Sequence, residues 1–181
     1  MATETTQPPA REDAAEHHRD EHRQAERPSG RAGQPLAAYG SFIALFGTLA
    51  AGFAAWLWRS GRTLPERLDT RDLLLVSIAA HKLARLITKD RVTSAVRAPF
   101  TSFEHDAGPA EVEERARGRG LRRALGEVLT CPYCLDLWIS TAFTAAFIVA
   151  PRAARWSASA VGALFGADVL QIAYKRLEDT L

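Results

Sequence analysis

The chain has no phosphate-binding loop of the Gly-rich, Lys-Ser/Thr type, no His-Glu-x-x-His zinc signature and no Gly-x-Ser-x-Gly elbow. Kinase and hydrolase chemistry therefore find no footing in it, and a noncatalytic role is expected. With only two cysteines in 181 residues it cannot build the multi-disulfide framework of a small secreted domain. A net charge of +2 excludes a strong basic footprint, so no nucleic-acid partner is expected. Charge is also missing from long blocks of the chain, being gathered in the first 36 residues and in 59–72 and 88–123.

Large apolar side chains are absent between Met1 and Leu36. Such a segment has nothing to offset the entropy of ordering, and residues 1–36 read as a disordered charged tail. His17, His18 and His22 stand among Arg19, Asp20, Glu21 and Arg23, the setting of solvated tail residues rather than metal ligands. The first apolar run starts too late and runs too long for the core of a secretory signal.

What the chain does contain is apolar helix. Residues 37–58 form 22 uncharged positions ending in Trp56 and Trp58, with Arg59 and Arg62 beyond. At 1.5 Å per residue this is roughly 33 Å, enough to cross the bilayer hydrocarbon, with an aromatic belt and a charged stop at one end. A second such stretch, 156–174, is closed by Lys175 and Arg176 and interrupted only by Asp168. Gly162 and Gly166 within it have the GxxxG spacing that lets a neighbouring helix, from a second copy or another membrane protein, approach closely. A third, 137–150, reaches spanning length if its helix begins at Cys131, with Pro132 at the first helical position. Residues 73–87 are ambiguous. His81, Lys82 and Arg85 share one face with Lys89, so this segment either spans against partner helices, the reading we favour, or lies flat at the interface. The fold expected is all-α, a polytopic membrane protein of three to four spanning helices, with helices near 73–88, 131–150 and 156–175 and a charged cytoplasmic loop over 89–130.

The positive-inside rule orients either version. Four spans put 15 Lys and Arg on the side of the tail, the 88–134 segment and the C-terminus, against 6 on the other side. Three spans give 16 against 7, with the tail on the opposite side. In both, Cys131, Cys134 and the C-terminus face the cytoplasm, and the expected location is the inner (plasma) membrane.

Cys131-Pro132-Tyr133-Cys134 is the sharpest local feature. At a helix N-terminus Cys131 would be the more reactive thiol, with Cys134 buried one turn further in. The pair is read in three ways: a reduced pair packing a tight helix start, a redox pair, or half of a zinc shell completed by His105, Asp136 or a second subunit. No cofactor is expected on the first two readings; zinc is the cofactor of the third. Deeper in the bilayer, Asp168 would lie about 10 Å from the boundary near Lys175. A carboxylate there needs a partner, and Lys82 and Arg85, in the same half of the second helix, are the expected ones. Its alternative is an ion relay.

The order Arg85-Leu86-Ile87-Thr88-Lys89-Asp90, Arg97-Ala98-Pro99-Phe100, Leu125-Gly126-Glu127, Cys131-Pro132-Tyr133-Cys134 and Trp138 resembles the bacterial membrane-protein family called domain of unknown function 1360, which has sporulation-associated and phage-encoded members. The likeness covers about residues 72–174. It implies a small integral membrane protein without an assigned activity and lends no catalytic role to any residue. Asp136 stands where a small residue, typically Gly, is expected. Around these motifs Thr88 and Asp90 would satisfy backbone groups of a membrane-interface turn. Arg85, Lys89 and Arg91 would meet anionic lipid headgroups, and Arg97, Phe100 and Phe103 would lie at the same interface. Residues 104–123 read as a solvated loop, or as a basic contact with lipid or a partner through Arg115 to Arg123. The function expected is that of a scaffold or assembly partner with a cytoplasmic face. A membrane thiol-disulfide exchanger using Cys131 and Cys134 is the alternative, and a metal-binding or ion-handling protein the third.

Overall fold

A computed structural model describes residues 36–67 and 69–180; the tail and its histidines lie outside the described residues. The chain is a helical membrane protein. Helix α1 spans Leu36–Arg59, α2 Thr70–Thr88 and the short α3 Ser94–Arg97. A hairpin of β1 (Thr101–Gly108) and β2 (Glu111–Ala116) follows. Then come α4 (Gly120–Thr130), α5 (Pro132–Val149) and α6 (Pro151–Glu178). By length and apolar composition α1, α5 and α6 are each able to cross a membrane.

Local chemistry sets several of these ends. The Asp69 side chain accepts the Arg71 N–H at 2.9 Å and caps α2. Pro132 and Pro151 stand at the starts of α5 and α6, where a missing N–H costs nothing. Because Pro151 reopens the helix one residue after α5 ends, α6 starts five residues before the 156 read from hydropathy, and its first turns carry Arg152 and Arg155.

Helices α2, α5 and α6 form the core. Small residues let their backbones approach, as packing in lipid requires. Val76 and Ala79 of α2 meet Phe147 of α5 and Ala154 and Ala158 of α6. Further along α2, Ala80 and Ala84 pack on Ile139. Gly162 lies where an added Cβ would stand 3.7 Å from Leu75 and 3.9 Å from Ile78, so half of the GxxxG spacing is used within the chain; Gly166 is open. Helix α1 is more loosely attached. Tyr39 hydrogen-bonds Glu127, Phe46 stands edge-on to Trp138 at 5.3 Å, and Arg62 donates to the Val149 carbonyl at 3.2 Å.

These contacts fix which helix ends lie together. Asp72 bonds Arg155 and Lys82 bonds Asp168, so α2 and α6 run the same way, while α5 runs against both. One end of the bundle gathers the start of α1, the hairpin, α4 and the Cys131 region. The other gathers Arg62, Asp72, Val149 and Arg155. Residues 89–130, read from the sequence as a charged loop, are an ordered cap of α3, the hairpin and α4. The hairpin adds a two-stranded antiparallel sheet to an otherwise helical fold.

Candidate functional site

The cap grows out of the end of α2. The last carbonyls of a helix lack intrahelical partners, and here Thr93 takes that of Leu86 and Arg97 that of Ile87. Arg97 of α3 is fully buried and uses all five of its N–H donors. Its Nη1 donates to the Ile87 carbonyl and to Thr93 Oγ1, each at 2.6 Å. Its Nη2 donates to the Asp90 carbonyl and Glu114 Oε1, each at 3.0 Å, and its Nε to Glu114 Oε2 at 3.0 Å. The Thr101 hydroxyl donates to Glu114 Oε2 at 2.6 Å. Burial pushes the Glu114 carboxyl up, but hydrogen bonds from Arg97 and Thr101 and the charge of Arg97 outweigh it and hold Glu114 below the usual carboxylate range.

Strand β2 supplies this acid because its residues alternate. Val112 and Glu114 point inward, buried, while Glu111 and Glu113 reach over the end of α2. Two backbone bonds, Arg91 N–H to Ala110 O at 2.8 Å and Val112 N–H to Lys89 O at 2.9 Å, pin the strand to the turn after α2. Ala110 takes a left-handed φ of 63° to make the hairpin turn. At the hairpin's base α4 comes so close that a Cβ on Gly126 would stand 2.5 Å from the Phe100 carbonyl oxygen.

The cationic face read on α2 meets the acids of this cap. Arg85 donates to Glu111 at 2.6 Å, Lys89 to Glu113 at 2.6 Å and Arg91 to Asp106 at 2.8 Å. Each already has a carboxylate, and Arg97 is sealed from solvent. Thr88 is buried and donates to the Ala84 carbonyl at 2.8 Å; Asp90 Oδ1 accepts the Val92 N–H at 2.9 Å. Phe100 is half-buried at the hairpin base, while Phe103 is exposed. Asp168 is brought to Lys82; Arg85, its other expected partner, goes to Glu111.

Cys131 and Cys134 are paired as a disulfide with Cα atoms 5.3 Å apart. Cys131 is the N-cap of α5, and its Sγ accepts the Cys134 N–H at 3.2 Å. Cys134 is exposed and Cys131 half-buried, the reverse of the order expected, because Leu135 and Ile139 carry the bundle-facing stripe. Among the described residues no three His, Cys, Asp or Glu side chains group to hold a metal ion. His105 sits on β1 opposite Glu113. Asp136, one turn into α5, has a buried Oδ1 with no hydrogen-bond partner.

Sequence reasoning missed Glu111, Glu113, Glu114 and Thr101. The available signal was the acidic run 111–114 following Gly108-Pro109, a turn before a strand, but short alternation amid so much charge reads as loop.

Residues 75–174 match the family model described as "Protein of unknown function (DUF1360)". The chain is similar to "Sporulation protein YjcA" of Bacillus subtilis (strain 168), 33% identical over 87 residues, covering 46% of this chain and 74% of the relative. No solved structure matches the chain significantly.

Proposed function

The chain belongs to the family of proteins of unknown function DUF1360, and from that premise we propose that it is a noncatalytic scaffold or assembly partner of the inner (plasma) membrane. It crosses four times and presents its hairpin cap to the cytoplasm. The observation that carries this reading is the internally saturated cap. Every donor of Arg97 is used, and Arg85, Lys89 and Arg91 each hold a carboxylate. Polar groups paired in this way make a shaped, rigid surface. Support for four crossings comes from α2, which lies lengthwise against α5 and α6 and exposes Leu73 and Leu74 on its outer side. Support for the orientation comes from the 15 Lys and Arg on the cap side against 6 opposite. The relative named as a sporulation protein suggests a role in a developmental membrane assembly.

The disulfide favours a second reading, a thiol-disulfide exchanger in which Cys131, at a helix N-terminus, attacks when reduced. One experiment separates the two. In a strain lacking the chain, the Cys131→Ser/Cys134→Ser double variant is expected to restore whatever the wild-type chain restores. Loss of that rescue at normal protein level and membrane integration sinks the scaffold reading in favour of the thiol one.

A further inference from the structure

The pairing of charge in the cap stops at one edge. Glu111, Glu113 and Asp106 hold Arg85, Lys89 and Arg91, Glu114 holds Arg97, Glu104 holds Arg115, and Glu127 holds Arg123. Asp90 and Lys175 line one groove between α2 and α6, and Asp136 has its Oδ1 buried. Arg117, Arg119 and Arg122 are left over, all exposed and none with a carboxylate partner among the described residues. Two of them are fixed in place. Arg117 Nη2 donates to the Ala98 carbonyl at 2.8 Å, and Arg122 donates to the Pro99 carbonyl from Nε at 2.9 Å and from Nη2 at 2.6 Å. Arg119 stands between them in sequence, at the N-cap of α4. This edge lies where the helices of the bundle begin and end. Arg97, next to Ala98, reaches the Ile87 carbonyl in the last turn of α2. Glu127 of α4 bonds Tyr39 in the first turn of α1, and α5 starts two residues after α4 stops. Val96 and Leu121, neighbours of these arginines along the chain, are exposed apolar side chains.

We infer that this edge rests in the headgroup layer of an anionic leaflet, with Arg117, Arg119 and Arg122 at the phosphates and Leu121 and Val96 at the glycerol level below them. The inference rests on the membrane reading given above and adds the partner to it. The attraction of an anionic surface fades within about 8–10 Å, so only cations held at the level of that surface profit from it. The bonds to the Ala98 and Pro99 carbonyls hold two arginines there, beside the ends of α1, α2 and α5. Free charge and position therefore coincide on one edge, whereas the other arginines of the cap have their charge answered inside the protein. Leaflet and dissolved anion differ in what they do with the apolar neighbours. Inorganic phosphate would answer the guanidiniums and leave Leu121 and Val96 in water; a leaflet takes up both, with the cations at its surface and the apolar side chains beneath.

The test uses the full-length chain in nanodiscs of phosphatidylcholine with a minor fraction of phosphatidylglycerol. The photocrosslinking residue benzoylphenylalanine is placed at Leu121 or, for reference, at Leu49, exposed in the middle of α1, and the lipid adducts are weighed by mass spectrometry. Leu49 is expected to capture the two lipids in their bulk ratio. Leu121 is expected to capture phosphatidylglycerol about fivefold or more above that ratio, the effect of one Arg near an anionic surface. Replacing Arg117, Arg119 and Arg122 together by Gln should return Leu121 to the bulk ratio. Replacing the same three by Lys, which keeps the charge and loses the double bond to the Pro99 carbonyl, should keep most of the enrichment. Added inorganic phosphate at matched ionic strength should leave it unchanged. A bulk ratio at Leu121 in the wild-type background, enrichment that survives the Gln replacement, loss with Lys equal to that with Gln, or loss on adding phosphate overturns the inference. So does a protein adduct in place of lipid at Leu121 in native membranes, which would assign the edge to a protein partner. Absence of any lipid adduct at Leu49 overturns the membrane reading itself, whereas lipid at Leu49 without enrichment at Leu121 overturns only the edge.

Discussion

Removing Arg97 would leave the Glu114 carboxylate buried beside Thr101 without its cation, and would take one donor each from the Ile87 and Asp90 carbonyls and the Thr93 hydroxyl. Breaking a buried pair from one side costs about 3–5 kcal/mol, so Arg97→Ala is expected to open the hairpin. Hydrogen exchange over 101–116 should then rise while exchange over α5 does not. The same carboxylate gives the cap a pH dependence. Glu114 lies below its ordinary value of 4.5, so its contribution is complete above that value and is lost as pH falls through the depressed native one. Hairpin protection, measured against the intrinsic exchange rate at each pH, should accordingly fall under acid, and Glu114→Gln should be protected less at neutral pH and respond less to acid. Gly126 is needed for a different reason. A Cβ there meets backbone oxygen at 2.5 Å and the Ala116 Cβ at 2.9 Å, and overpacking of this kind costs about 1–3 kcal/mol. Gly126→Ala should lower the thermal midpoint in detergent, while Gly47→Ala, with nothing within 4 Å on α1, should hold or raise it.

Among elements, α2 is the one whose character depends on its neighbours. Alone it has too many charges to enter lipid; its apolar stripe of Val76, Ala79, Ala80 and Ala84 is taken up by α5 and α6, and its ionic side chains by Asp168, Glu111 and Glu113. The helix thus exchanges hydration for partners. If Lys82 and Asp168 stabilise the α2–α6 contact by pairing, neutralising one should destabilise more than replacing both by apolar residues. The cycle of Lys82→Met, Asp168→Leu and the double variant, read by thermal unfolding in detergent, should give a coupling of at least about 0.5 kcal/mol; additive losses would mean that the two charges act separately. Similar logic explains why the hairpin forms at all. Two strands alone are marginal, and these are held by the bridge to residues 89–91 and by Val112 and Glu114 entering the cap.

For the whole molecule, the pairing of helix ends predicts the outcome of topology mapping. Reporters fused at Gly30, Ala110 and Leu181 should face one side and a reporter at Pro65 the other; Gly30 opposite Ala110 would mean three crossings. The apolar helices were legible from residue order because long uncharged runs and their Trp and Arg borders are one-dimensional properties, read directly against the thickness of a bilayer. The Lys82–Asp168 pairing was half legible, since a charge at depth demands a partner but depth alone does not choose between Lys82 and Arg85. The cap was not legible. Whether Glu114 is a solvated loop acid or the buried anchor of Arg97 depends on a chain reversal at Ala110 that brings positions 17 residues apart into contact, and no local pattern encodes which cation such a carboxylate will meet. Residue order determined which segments belong in lipid, because burial in a bilayer is decided segment by segment; only the tertiary structure decided where the charges go, because ion pairing is a relation between segments.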